Sequence, residues 1–142
     1  MPLDPVSLES TIEFVAGSQH APALYRPRKF ATSNNYPLVE DATDEQYEDV
    51  PDIENDRDKY KIIKWAVEPG DVIVFHMKCL HGAPENLQPI QRRVLSTRWL
   101  GDDCVIAKRP WVTSPPTNGG LKPGDKAMCE EFPRIWSKSN QR

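Results

Sequence analysis

Only three histidines occur among the 142 residues, His20, His76 and His81. A lone histidine is more often structural than a ligand, so its neighbours decide which of the three matters. His20 follows Gly17, Ser18 and Gln19 in a turn. His76 ends an apolar run. His81 is followed by Gly82, and eleven residues later stands Arg92. A tight strand-turn-strand would bring His81 and Arg92 to one end of a barrel. The pairing has a chemical logic. A non-haem iron site that keeps open positions uses two histidines and one carboxylate. A keto acid such as 2-oxoglutarate can chelate that metal. Its far carboxylate then needs a fixed, permanently charged, fork-shaped partner, which arginine supplies better than lysine. A second arrangement stays open. His76, Cys79 and His81 form a His-x-x-Cys-x-His set that would suit a small β-domain with a structural metal, but no fourth ligand stands at zinc-like spacing.

The elements that must position these residues read as strands. Thr11–Ala16 is short, rich in β-branched and aromatic types, and stops at the turn signal Gly17-Ser18. Residues 18–59 read mostly as loop. Tyr60–Val67 is the next strand. Glu68-Pro69-Gly70-Asp71 is a turn, with proline pre-setting φ and glycine giving a permissive corner. Val72–His76 is apolar on both faces, which predicts a buried strand. Residues 80–83 form a short strand, residues 84–91 a polar turn, and Arg92–Leu100 a long strand. Alternation then places Arg92, Val94, Ser96 and Arg98 on one face, and Arg93, Leu95, Thr97 and Trp99 on the other. Residues 101–131 form a loop-rich tail, with a short amphipathic helix conceivable only near Lys126–Glu131. Phe132–Trp136 reads as a terminal apolar tuck. The pattern is all-β with long loops, in the manner of a sandwich or jelly roll.

Composition sets the outer bounds. A length of 142 residues suits a single domain spanning 1–142. Fourteen prolines and seven glycines against 38% hydrophobic residues describe a loop-rich protein rather than a helical bundle. A mean hydropathy of -0.63, with no apolar run near 18 residues, excludes a membrane-spanning helix. The start of the chain has no basic, apolar leader pattern, so the cytoplasm is the expected location. Cys79, Cys104 and Cys129 lie far apart, which fits reduced, structural thiols. The net charge of -3 hides an asymmetry. Residues 40–60 hold ten acids and two bases, a local -8, leaving +5 for the rest. That run reads as a solvated acidic loop. No basic stripe with interleaved aromatics marks a nucleic-acid surface.

One stretch is more specific than any of this. It runs from Trp65 through Pro69-Gly70-Asp71 to Phe75-His76, then His81-Gly82, Asn86 and Arg92-Arg93. It resembles the phytanoyl-CoA dioxygenase family of iron(II)- and 2-oxoglutarate-dependent dioxygenases. That family has a Pro-Gly-Asp turn, a buried strand ending in Phe-His, a His-Gly pair, an asparagine five residues after that histidine and an arginine eleven after it. The segment from Leu3-Asp4-Pro5 to Gly17-Ser18-Gln19-His20 is similar to the family's approach to its Gly-Ser-His turn. The resemblance implies a double-stranded β-helix, cupin-like, of which this chain would be an incomplete, C-terminal half. It implies that His81 is the distal iron ligand and that Arg92 binds the 5-carboxylate of 2-oxoglutarate, with Arg93 pointing away. It also implies consumption of 2-oxoglutarate and O2, release of succinate and CO2, and hydroxylation of a small organic or acyl substrate.

The sequence departs from the family at two points. Ala83 stands where a serine is common. No His-x-Asp or His-x-Glu occurs anywhere, although the family draws its other two iron ligands from such a motif upstream of the Gly-Ser-His turn. Two functional readings of the same ancestry follow: a dioxygenase represented by its C-terminal part, or a truncated, inactive remnant. A half-barrel would also expose strand edges and apolar faces, an invitation to self-association. The expected partner is otherwise a small-molecule substrate, with neither nucleic acid nor membrane.

Overall fold

The computed structural model describes residues 1–29, 32, 34–43, 45–86, 89–111 and 119–137. Residues 87 and 88 of the expected polar turn and 112–118 of the expected tail lie outside the described residues. The architecture is all-β: the helical residues described are two single turns of 3-10 helix, Ser18–His20 and Arg57–Lys59. The packing forms two compact units, Met1–Tyr25 with Asp49–Thr97, and Arg26–Glu48 with Arg98–Arg142. The expected acidic loop is divided between them.

In the first unit the strand-forming run around Phe14 becomes β1 (Glu13–Val15), and β2 (Leu24–Tyr25) follows it. In the second unit β3 (Tyr47–Glu48) lies within the acidic stretch. Back in the first unit come β4 (Ile62–Ile63) and β5 (His81–Gly82). β1 is the middle strand of an antiparallel sheet ordered β4-β1-β5. Phe14 stands opposite Ile63 on one side and opposite His81 on the other, and Glu13 stands opposite Gly82. Residues directly opposite in an antiparallel pair share a face, so Phe14, Ile63 and His81 do. The N-terminal segment continues these pairings outward. Val6 and Val67 exchange both backbone hydrogen bonds at 2.8 and 3.0 Å. Pro2 bridges to Val94, with Leu3 N–H donating to Arg93 O at 2.9 Å and Leu95 N–H to Met1 O at 2.8 Å.

The core of this unit gathers under β1. Phe14 is 4% exposed, and Val6, Ser10 and Thr11 are buried with it. The Phe14 ring meets Phe75 edge-on at 4.8 Å and Trp65 at 6.3 Å between centroids. In the second unit Trp111 is buried and meets Tyr47 edge-on at 4.6 Å, while Leu38 bridges to Trp111 and Val105 to Lys126.

Several sequence expectations need correction. The run 72–76 forms no ladder among the described residues, and Val74 is 88% exposed rather than buried. An apolar run records a preference for burial but names no partner, and both edges of β1 are already taken by β4 and β5. The strand expected over 92–100 reduces to a bridge at Val94. Its partner is Pro2, so the expected hairpin with 80–83 does not form. The 60–67 strand contracts to Ile62–Ile63 plus a bridge at Val67. Lys126 is bridged to Val105, and no helix forms at 126–131. Ile135 and Trp136 are exposed, so 132–136 is not an apolar tuck.

Asp4 supplies the polar anchor of the N-terminal segment. Its carboxylate accepts from Arg93 Nη2 at 2.7 Å, Arg93 Nε at 2.9 Å and Arg93 N–H at 3.0 Å. The side-chain hydrogen bonds from Arg93 lead in lowering the Asp4 carboxyl from its usual 3.8 to about 2. A lowered carboxyl pKa makes the clamp fully stabilising above pH 3.8, and that contribution is lost as pH falls towards 2. The Asp4 carboxyl 13C resonance is therefore expected to titrate near pH 2 in the wild-type chain and to move back towards 3.8 in Arg93→Ala. Wild-type titration near 3.8 would show that the clamp does not form in solution.

Candidate functional site

The turn after β1 begins at Gly17, whose φ of 83° lies in the left-handed region that favours glycine. This corner sends Ser18 back across the end of the sheet. The Ser18 hydroxyl donates to Val15 O at 2.7 Å and accepts from Leu80 N–H at 2.8 Å. Lys78 Nζ donates to Ala21 O at 3.0 Å, so the 17–21 turn is docked on residues 78–80. On the other side of the same junction the Cys79 N–H closes a turn onto His76 O at 2.9 Å.

His81 lies immediately after this junction. Its ring centroid is 4.9 Å from Phe75 and 6.1 Å from Phe14, yet the residue is exposed. Nδ1 lies 2.8 Å from Cys79 O. A carbonyl oxygen only accepts, so this bond puts the imidazole proton on Nδ1 and leaves the lone pair on Nε2. His76 is arranged the opposite way: its Nδ1 accepts from Lys78 N–H at 3.1 Å. His20 is exposed, with Nε2 3.0 Å from Gln19 Nε2.

The consecutive arginines diverge, as alternation along an extended segment requires. Arg93 goes to Asp4. Arg92 Nη1 donates to Ser10 O and, at 3.0 Å, to Pro84 O, three residues beyond His81. Arg92 is thus attached both to the segment leading into β1 and to the segment leaving β5. Ala83, next to that carbonyl, is exposed and offers no hydroxyl.

The metal set His76, Cys79 and His81 is corrected by these contacts. His76 Nδ1 is engaged by a backbone N–H, and the Cys79 thiol lies 3.6 Å from Ser18 Oγ and 3.8 Å from Val15 O. Among the described residues no group of three or more histidine, cysteine, aspartate or glutamate side chains is placed to hold a metal ion. A two-histidine, one-carboxylate iron set needs three such ligands, and no group of that size is brought together among the described residues.

Two contributors were not visible as functional residues in the sequence. Glu13 points to the face opposite Phe14, where it accepts from Lys64 Nζ at 2.7 Å and Arg57 Nη2 at 2.9 Å. The Lys64 hydrogen bond leads in holding the Glu13 carboxyl below the usual range, against an opposing push from burial, with Arg57 adding to the lowering. The register explains the pair: continuing Phe14↔Ile63 by one step sets Glu13 opposite Lys64. A single acid inside a β-forming run was the available signal. Ser18 was noticed only as part of a turn, because its bond to Leu80 spans 62 positions.

No curated protein and no solved structure matches the chain at a significant level. No helix among the described residues is long and apolar enough to cross a membrane. The family model for phytanoyl-CoA dioxygenase matches residues 14–94, from the central Phe14 through His81 and Arg92 to Val94. That is more than half of the 142 residues, and the chain belongs to the phytanoyl-CoA dioxygenase family.

Proposed function

We propose that this chain carries part of the site of an iron(II)- and 2-oxoglutarate-dependent dioxygenase that hydroxylates a small organic or acyl substrate in the cytoplasm. His81 provides one iron bond through Nε2. Arg92 provides the cationic fork for the far carboxylate of 2-oxoglutarate, exchanging its hold on backbone carbonyls for that anion. The double-stranded β-helix is the frame to which β1, β4 and β5 contribute. The observation that carries this reading is the family match, because its 14–94 span contains both residues. His81 supports it by donating its second nitrogen to a backbone carbonyl, which is how metal-ligating histidines are usually oriented. Iron and 2-oxoglutarate would supply the oxidising chemistry, and the protein orientation. A second reading, an inactive remnant that binds neither iron nor cosubstrate, is favoured because no three such side chains are grouped to hold a metal ion among the described residues.

Ligand counting sets the expected outcome. One histidine offers one iron bond, so the 142-residue chain is expected to bind iron(II) weakly and to form no succinate with iron, ascorbate and 2-oxoglutarate. A chain that also carries a family His-x-Asp segment upstream is expected to form succinate. In it, Arg92→Ala abolishes turnover and Arg93→Ala is milder. Clear turnover by the 142-residue chain, lost on His81→Ala, would overturn the ligand count.

We also propose that the chain self-associates through its exposed apolar side chains and strand edges. Val72, Val74 and Met77 are exposed in one run, and unpaired edges template further pairing. Sedimentation of the purified chain is expected to give a mass above that of the 16.2 kDa monomer. A monodisperse monomer that melts cooperatively would contradict it.

A further inference from the structure

The β1–β5 ladder contains an inserted hydroxyl. In the β1–β5 register Val15 falls opposite Leu80, and Val15 N–H donates to Leu80 O at 3.0 Å. A hydrogen-bonded antiparallel pair exchanges both of its backbone bonds. Here the return bond is carried by Ser18: Leu80 N–H donates to Ser18 Oγ, and Ser18 Oγ–H donates to Val15 O. Two bonds in series, 2.8 and 2.7 Å, replace the one a ladder would use. The strand is splayed at Leu80, one residue before His81 and one after Cys79.

We infer that Ser18 is a positioning residue for His81. Its hydroxyl holds the Cys79–Leu80 backbone away from β1, so that the Cys79 carbonyl meets the His81 imidazole at Nδ1 and leaves Nε2 with its lone pair. The first link is the Ser18 relay between Val15 and Leu80. The second is the His76–Cys79 turn, closed by Cys79 N–H on His76 O, which directs the Cys79 carbonyl onward. The third is the 2.8 Å contact of that carbonyl with Nδ1. Phe75 and Phe14 fix the ring by its sides but supply no hydrogen bond and so cannot choose between tautomers. The choice falls to the carbonyl, and the carbonyl is placed by Ser18. A methyl group at position 18 would leave the Leu80 N–H and Val15 O without their relay. They would then either close the ladder directly or take up water, and in both cases the Cys79 carbonyl would turn relative to the ring.

The inference rests on the functional reading only in giving Nε2 its use; the tautomer itself is read without metal. The experiment is a long-range 1H–15N correlation spectrum of the histidine rings in the whole 15N-labelled chain at mildly alkaline pH. The wild-type chain is expected to show His81 protonated on Nδ1 and His76 protonated on Nε2, since the His76 Nδ1 accepts from Lys78 N–H. In Ser18→Ala the His81 pattern is expected to shift towards Nε2 protonation while His76 keeps its own. Thr and Val have the same shape with and without the hydroxyl, so Ser18→Thr should retain the wild-type pattern and Ser18→Val should lose it. An Nε2-protonated His81 in the wild-type chain overturns the inference, as does a His81 pattern unchanged in Ser18→Ala and Ser18→Val. Joint loss of the His20, His76 and His81 patterns in both variants would make the hydroxyl a prop of the whole unit and would also overturn it. Failure of iron(II) to broaden the His81 signals of a chain that also carries a family His-x-Asp segment upstream would sink the functional reading and leave the role of Ser18 standing.

Discussion

The Phe14 ring is the contact on which the first unit depends. It stands on the middle strand, opposite Ile63 on one side and His81 on the other, and it is almost fully buried in a unit with few other buried side chains. An edge-on aromatic pair such as Phe14–Phe75 is worth about 0.5–1.5 kcal/mol beyond the area it buries. The pairing also decides chemistry. Side chains alternate across a strand, so whatever fixes Phe14 inward fixes His81 on the same face and sends Glu13 to the other. A slip of one residue between β1 and β5 would bring His81 round to the face of Glu13.

The charged residues reinforce that register from outside. Glu13 reaches Lys64 directly across the β1–β4 ladder and Arg57 from the turn before it. Asp4 does the same for the N-terminal segment, taking Arg93 in a three-bond clamp. Ion pairs that solvent reaches contribute little each, because water and salt screen them. Their value here is directional. Because Arg93 is claimed by Asp4, Arg92 is the arginine left to reach Ser10 and Pro84, beside the chain that leads from His81.

Much of this was legible in the sequence, for reasons specific to each element. The β-branched and aromatic run at 11–16 contains β1, because local composition suffices for a strand that packs through one large ring. The family was legible because Pro69-Gly70-Asp71, His81-Gly82, Asn86 and Arg92 carry their meaning in spacing, and the family match covers all of them. The pairing of the strands was not legible. Val72–His76 has the composition of a buried strand, yet composition does not say what lies alongside it, and Val74 stands in solvent. Arg92–Leu100 was expected to fold back on 80–83 but meets the first residues of the chain instead. The roles of Glu13 and Ser18 were hidden for the same reason: each acts on a residue more than 50 positions away, through a register that only the folded chain defines.

The pairing of β1 with β5 is therefore the claim on which the site stands, and it can be measured directly. Phe14 and His81 form a pair without backbone bonds between them, in which the two Cα atoms approach to about 4.5 Å, closer than in a hydrogen-bonded pair. A nuclear Overhauser spectrum of the chain should show a strong Hα–Hα cross-peak between Phe14 and His81, with ring contacts among Phe14, Phe75 and His81. A strong Hα–Hα cross-peak from Phe14 to Leu80 or Gly82 in its place would show the register displaced by one. It would put His81 on the Glu13 face and contradict the placement of the candidate ligand.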